Sequence, residues 1–158
     1  MAADLSVRRY QVLIRKYCEA DMDTVIDIWY EGWHSIDPRL VHPHSKHEWR
    51  DRWVSRIAPT HEIVVAESGN EILGFVTLNP ETAELTQLFT RLPEQGRGAG
   101  SALINWVKNR CHKGVYLFTL EINYRSRKFY EEHGFRETSL STNAISGLPT
   151  VRYEWRDA

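Results

Sequence analysis

Gln95-Gly96-Arg97-Gly98-Ala99-Gly100 sets three alternate glycines between two differently patterned stretches. Upstream, residues 83–90 (Ala-Glu-Leu-Thr-Gln-Leu-Phe-Thr) alternate with the two-residue period of a strand. Downstream, Ala102, Leu103, Trp106, Val107 and Arg110 recur with a helical period. Glycine lets the backbone take positive φ and come close to a ligand, and a helix starting behind the turn aims unpaired N–H groups and its positive dipole end outward. The stretch therefore reads as a strand–turn–helix able to hold a phosphate. Two familiar phosphate loops are excluded. Gly100 is followed by Ser101-Ala102 rather than Lys-Ser/Thr, and the glycine spacing is not that of the dinucleotide fingerprint.

Working outward, residues 12–18 read as a first strand, with Asp21 as N-cap of a helix running to about Gly32. Trp49, Trp53 and Ile57 fall on one face of a second helix that must stop by Pro59, which places Arg52 and Arg56 elsewhere on it. Residues 62–67 and 72–78 flank Ser68-Gly69-Asn70-Glu71, the signature of an antiparallel hairpin. Strands are expected at 84–90 and 115–121, a last helix at 126–133, and closing strands at 135–140 and 150–155. A strand–helix–strand unit in one sheet closes by a right-handed crossover, so 84–90 and 115–121 should lie side by side and parallel in a mixed sheet.

The loop Gln95-x-x-Gly98-x-Gly100 resembles the pyrophosphate loop Gln/Arg-x-x-Gly-x-Gly/Ala of the GNAT superfamily of N-acetyltransferases. Residues 117–135 are similar to the family's second signature: a strand, then Asn123-x-x-Ser126-x-x-Phe129-Tyr130 on a helix, then Gly134-Phe135. The two motifs stand in the family's order, joined by one helix, and the resemblance covers about residues 12–155. It implies an α/β fold with a mixed sheet of six to seven strands, about four helices and a splayed parallel strand pair that admits the pantetheine arm of coenzyme A. It also implies acetyl transfer from acetyl-coenzyme A to a primary amine by direct attack in a ternary complex.

The chain's 158 residues suit one domain, with residues 1–10 as a short tail. Its 42% hydrophobic and 26% charged residues are globular values, and no apolar run approaches the roughly 20 residues of a membrane span. A cytoplasmic protein is expected, since the first ten residues carry Arg8-Arg9 and no apolar centre of a signal peptide. Cys18 and Cys111 form no Cys-x-x-Cys pair and are expected as reduced, mostly buried thiols. A net charge of −1 gives no basic field for nucleic acid, no membrane partner is expected, and the oligomeric state is left open, a homodimer included.

Acetyl transfer needs a hold on the donor, a neutral amine, a stabilised oxyanion and a proton for the leaving thiolate. By the resemblance, Gln95, Gly96, Arg97, Gly98, Ala99, Gly100 and Ser101 bind the pyrophosphate, and Asn123, Ser126, Phe129 and Tyr130 complete the coenzyme site. Leu88 and Thr90 lie where the family's splayed strand offers backbone groups to pantetheine, with the Leu88 N–H as oxyanion donor. Glu84, eleven residues before Gln95, matches the general base of the histone-acetylating branch, acting directly or through water. Tyr130 matches the proton donor to the coenzyme thiolate. Family topology puts Glu31, Trp33, His34 and Asp37 on the acceptor side, a set suited to a cationic amine. His42, His44 and His47 have no regular ligand spacing, and no metal is required. Two readings stay beside this one: a non-catalytic acyl-coenzyme A sensor, and an enzyme using another acyl donor.

Overall fold

The computed structural model describes residues 11–91 and 98–157 of the chain. Strand β1 (Leu13–Lys16) leads through a tight turn into α1 (Met22–His34) and then α2 (Lys46–Arg52). The hairpin β2 (Glu62–Ser68) and β3 (Glu71–Asn79) turns on Gly69 and Asn70, both at positive φ (56° and 68°). This is the two-residue turn whose twist matches paired strands. Strand β4 (Glu84–Thr90), α3 (Ala99–Arg110), β5 (Val115–Leu120) and α4 (Tyr124–Glu132) follow, and β6 (Arg136–Thr142) and β7 (Pro149–Trp155) close the chain. The strands form one sheet in the order β1-β2-β3-β4-β5-β7-β6.

Both faces of the sheet are covered, which is why β2 and β3 read as near-continuous apolar runs. Val64 and Val76 point into a cluster with Leu103, Ile104 and Val107 of α3 and Tyr130 of α4. Their neighbours Val65 and Phe75 point to the other face, onto Val25, Ile26 and Trp29 of α1 and Trp49 and Trp53 beyond. Trp49, Trp53 and Ile57 are all buried, as their spacing predicts. After Arg52 the helix widens into a π turn over Trp53–Ile57, closed by the Ala58 N–H donating to the Trp53 carbonyl at 2.8 Å.

Two sequence expectations are corrected. Asp21 does not cap α1 with its side chain: it sits in a 3₁₀ turn, where its carboxylate accepts from the two terminal guanidinium nitrogens of Arg15 at 2.8 and 2.9 Å and from the Cys18 N–H at 2.9 Å. Cys18 is exposed and Cys111 only half-buried, because each lies at an element end rather than on an inward face. No helix among the described residues is long and apolar enough to cross a membrane.

Strands β4 and β5 are parallel but pair at only two positions, Glu84 with Tyr116 and Leu85 with Leu117. Beyond them the ladder stops. Strand β4 also carries a bulge: Leu78 opposes Leu85 and Thr77 opposes Gln87, so Thr86 is an extra residue that bends the strand. The sheet thus stays continuous at one end of β4 and opens at the other.

Candidate active site

Past the bulge, the Arg91 N–H donates to the Leu73 carbonyl at 2.7 Å, toward β3. The strand's two-residue period turns Phe89 and Gln87 the same way and aims the N–H groups of Leu88 and Thr90 into the open seam beside β5. These donors would face a ligand rather than another strand. Asn123 reaches back through its Oδ1 to accept the Ser126 N–H at 3.2 Å, capping α4 and fixing that helix at the seam's far side.

Two cavities meet there. The larger, about 590 Å³, lies between β4, the start of α3 and α4, and is lined by Thr90, Gly98, Gly100, Ser101, Phe129 and His133 among others. The smaller, about 190 Å³, passes through the seam to the α1–α2 side of the sheet. Ile36, Leu88, Phe89, Asn123, Ser126 and Tyr130 line both. A ligand in one cavity therefore reaches a ligand in the other at Leu88 and Tyr130.

The larger cavity has the form an anion-bearing, extended molecule needs. Gly98 stands at φ +87°, a left-handed N-cap conformation that a side chain would strain, and its surroundings are open. It turns the chain into α3 with the helix's first N–H groups beside the cavity, where phosphate oxygens are favoured. A side chain at Gly100 would meet the Phe129 ring at 3.2 Å, so glycine there lets α3 start close against α4. The Ser101 hydroxyl pairs with His133 Nε2 at 3.2 Å, while His133 Nδ1 donates to the Phe129 carbonyl at 2.7 Å. Gln95, Gly96 and Arg97 lie outside the described residues.

Tyr130 is 5% exposed, and its hydroxyl has no hydrogen-bond partner among the described residues. Burial pushes the phenol far above its usual pKa, so it stays protonated and has a proton to donate. Glu84 is half-buried at the far end of β4, four residues from Leu88, or about 13 Å along a strand, and does not line the smaller cavity. Burial raises its pKa, and Arg152 opposes the rise.

Of the four residues expected on the acceptor side, the structure brings Trp33 alone to the smaller cavity. Glu31 is exposed on α1, Asp37 accepts three hydrogen bonds from Arg39, and His34 donates to the Tyr30 carbonyl at 2.7 Å. Arg52, Gln87, His42 and Glu48 line the cavity instead. Helical spacing had set Arg52 off the core face, and only the tertiary fold shows a cavity opposite it. The Nδ1 of His42 accepts from Trp49 Nε1 at 3.2 Å and the His44 N–H at 3.0 Å. Among the described residues no group of three or more His, Cys, Asp or Glu is placed to hold a metal ion.

Comparisons with known proteins agree on the fold. The apo form of YjaB from Escherichia coli aligns with a TM-score of 0.76 at 20% identity, covering 94% of this chain and 99% of that one. The PaiA N-acetyltransferase of Thermoplasma acidophilum, solved in complex with coenzyme A, aligns with a TM-score of 0.72 at 18% identity, covering 92% and 99%. A curated relative, the uncharacterized N-acetyltransferase MJ1207 of Methanocaldococcus jannaschii, is 25% identical over 140 residues. That match covers 80% of this chain and 62% of the relative's length. The sequence model of the acetyltransferase (GNAT) domain matches residues 36–156, most of the chain, and on that match the chain belongs to the GNAT acetyltransferase family.

Proposed function

We propose that the protein transfers the acetyl group of acetyl-coenzyme A to a primary amine by direct attack in a ternary complex. The observation that carries this reading is the meeting of two cavities at the unpaired Leu88 N–H and the unpartnered Tyr130 hydroxyl. The larger cavity takes the coenzyme, with its pyrophosphate at the start of α3 and its pantetheine amides against β4. Ser126, Phe129 and Asn123 form the opposing wall. The thioester then lies at the junction, where the Leu88 N–H stabilises the tetrahedral oxyanion, an interaction worth about 2.7–4 kcal/mol in acyl-transfer sites. Tyr130 gives its proton to the departing thiolate, and the coenzyme sulfur accepts it.

The attacking amine must lose a proton. Glu84 serves as base only through a water relay, given its distance along β4, and its raised pKa brings it closer to that task. The smaller cavity, open on the α1–α2 side, admits the acceptor. A soluble cytoplasmic setting follows from the same reading.

Thiol release from acetyl-coenzyme A, measured across a panel of primary amines, tests the proposal. Amine-dependent release is the expected result. Coenzyme binding without release on any amine would instead mark an acyl-coenzyme A sensor, and release only with longer acyl thioesters would reassign the donor.

A further inference from the structure

Arg52 ends α2 half-buried in the wall of the smaller cavity, and its guanidinium makes no hydrogen bond or ion pair among the described residues. Its obvious partner has been diverted. Glu48, four residues earlier on the same helix, is placed for an i,i+4 pair. Its carboxylate instead accepts from His44 Nδ1 at 2.7 Å and closes the capping box with Ser45. Arg56 lies close enough to act on Arg52, and Arg52 in turn on His42 and His61, so its neighbours here include further basic groups. Glu48 lines the same cavity but turns its carboxylate to His44 and Ser45, and a partly desolvated cation without a bonded counter-charge is costly unless an anion joins it.

Gln87 adds a second donor. Its Oε1 accepts from the fully buried Thr77 hydroxyl and from Thr86 Oγ1, so the amide's NH₂ is the end left for the cavity. The bulge at Thr86 is what brings these groups together. Trp29, Trp33 and Trp49 line the same cavity and supply its aromatic part.

We propose that the acceptor is a small amine that also carries a carboxylate, bound by the Arg52 guanidinium and the Gln87 amide with its apolar body on the tryptophan wall. This inference rests on the acetyl-transfer reading above and narrows its substrate to amino acids with apolar side chains, in place of polyamines. A guanidinium offers two parallel N–H groups to one carboxylate, which fixes the acceptor's orientation as well as its presence.

Matched acceptors decide the matter: phenylalanine against phenethylamine, and tryptophan against tryptamine, with spermidine alongside, each assayed by thiol release. The carboxylated member of each pair is expected to have the higher kcat/KM, by roughly 10- to 100-fold, the range of a charge-assisted hydrogen bond. Arg52→Gln should collapse that ratio toward one, chiefly through KM, and Arg52→Lys should keep part of it. A coenzyme-induced thermal shift equal to that of the unmodified protein shows that each variant is folded. A ratio unchanged by Arg52→Gln overturns the proposal. So does turnover of spermidine with no amino acid accepted, which leaves acetyl transfer standing; the absence of thiol release with any amine overturns both.

Discussion

Tyr130 buries its ring between the sheet and α4 yet leaves its hydroxyl without a partner among the described residues. Such a group costs stability unless it serves a ligand. Tyr130→Phe removes the hydroxyl and keeps the packing, so the melting temperature should hold or rise slightly while kcat falls by at least about 10²-fold, the scale of a lost general acid. Steady-state kinetics beside thermal unfolding separates the two effects, and an unchanged kcat would end the proton-donor assignment. Asp21 makes the opposite case, a charge that the fold uses fully. Its hydrogen bonds from Arg15 lower its pKa from the ordinary 3.8 to about 2. A depressed carboxyl contributes stability that is present above its unfolded pKa and lost as pH falls through the folded one. Asp21→Asn should therefore cost about 2 kcal/mol at neutral pH, with the difference from the unmodified protein closing between pH about 4 and about 2. Urea denaturation across that range measures it.

At the scale of elements, α4 depends on Asn123 both as its cap and as part of both cavity walls. Asn123→Ala loses the hydrogen bond to the Ser126 N–H and should cost about 1 kcal/mol of stability, with coenzyme affinity falling too because Ser126 and Phe129 ride on the same helix. Asn123→Ser or Asp should restore most of the stability, and isothermal titration shows whether affinity returns with it. Elements of this kind were legible because their signals are local. Gly69-Asn70 can take only the tight hairpin turn, and Asn123 with Ser126 three residues on marks a helix start. The parallel neighbourhood of β4 and β5 also followed, since crossover handedness is a rule about consecutive elements. What stayed hidden is non-local. Nothing near β7 says that it inserts between β5 and β6, and nothing around Thr86 says that β4 bulges there. Helical spacing sets Arg52 off the core face correctly, but periodicity describes one helix and is silent about the cavity that another element builds opposite it.

Across the whole molecule, the sheet is nearly two sheets. Strands β1 to β4 and strands β5 to β7 share strand pairing at Glu84–Tyr116 and Leu85–Leu117, and past those positions the ladder stops and the seam opens. Leu103 and Ile104 of α3, Leu85 of β4 and Leu117 of β5 belong to one buried cluster that spans both halves at the closed end. At the open end the Leu88 and Thr90 amides face the gap. A coenzyme whose amides bond to that edge while its phosphates sit on α3 would tie the halves where the sheet itself does not, and it binds the folded state alone. At 100 times its dissociation constant such a ligand adds about 2.7 kcal/mol. For a chain of this size that corresponds to a rise in melting temperature of roughly 5–11 °C. The rise should be accompanied by slowed hydrogen exchange at the amides of Leu88 and Thr90, with little change in β1 or β2, which never meet the seam. Thermal unfolding and exchange mass spectrometry together check this: stabilisation without protection on β4 would put the coenzyme elsewhere, and the junction at Tyr130 would lose its claim to be where acetyl changes hands.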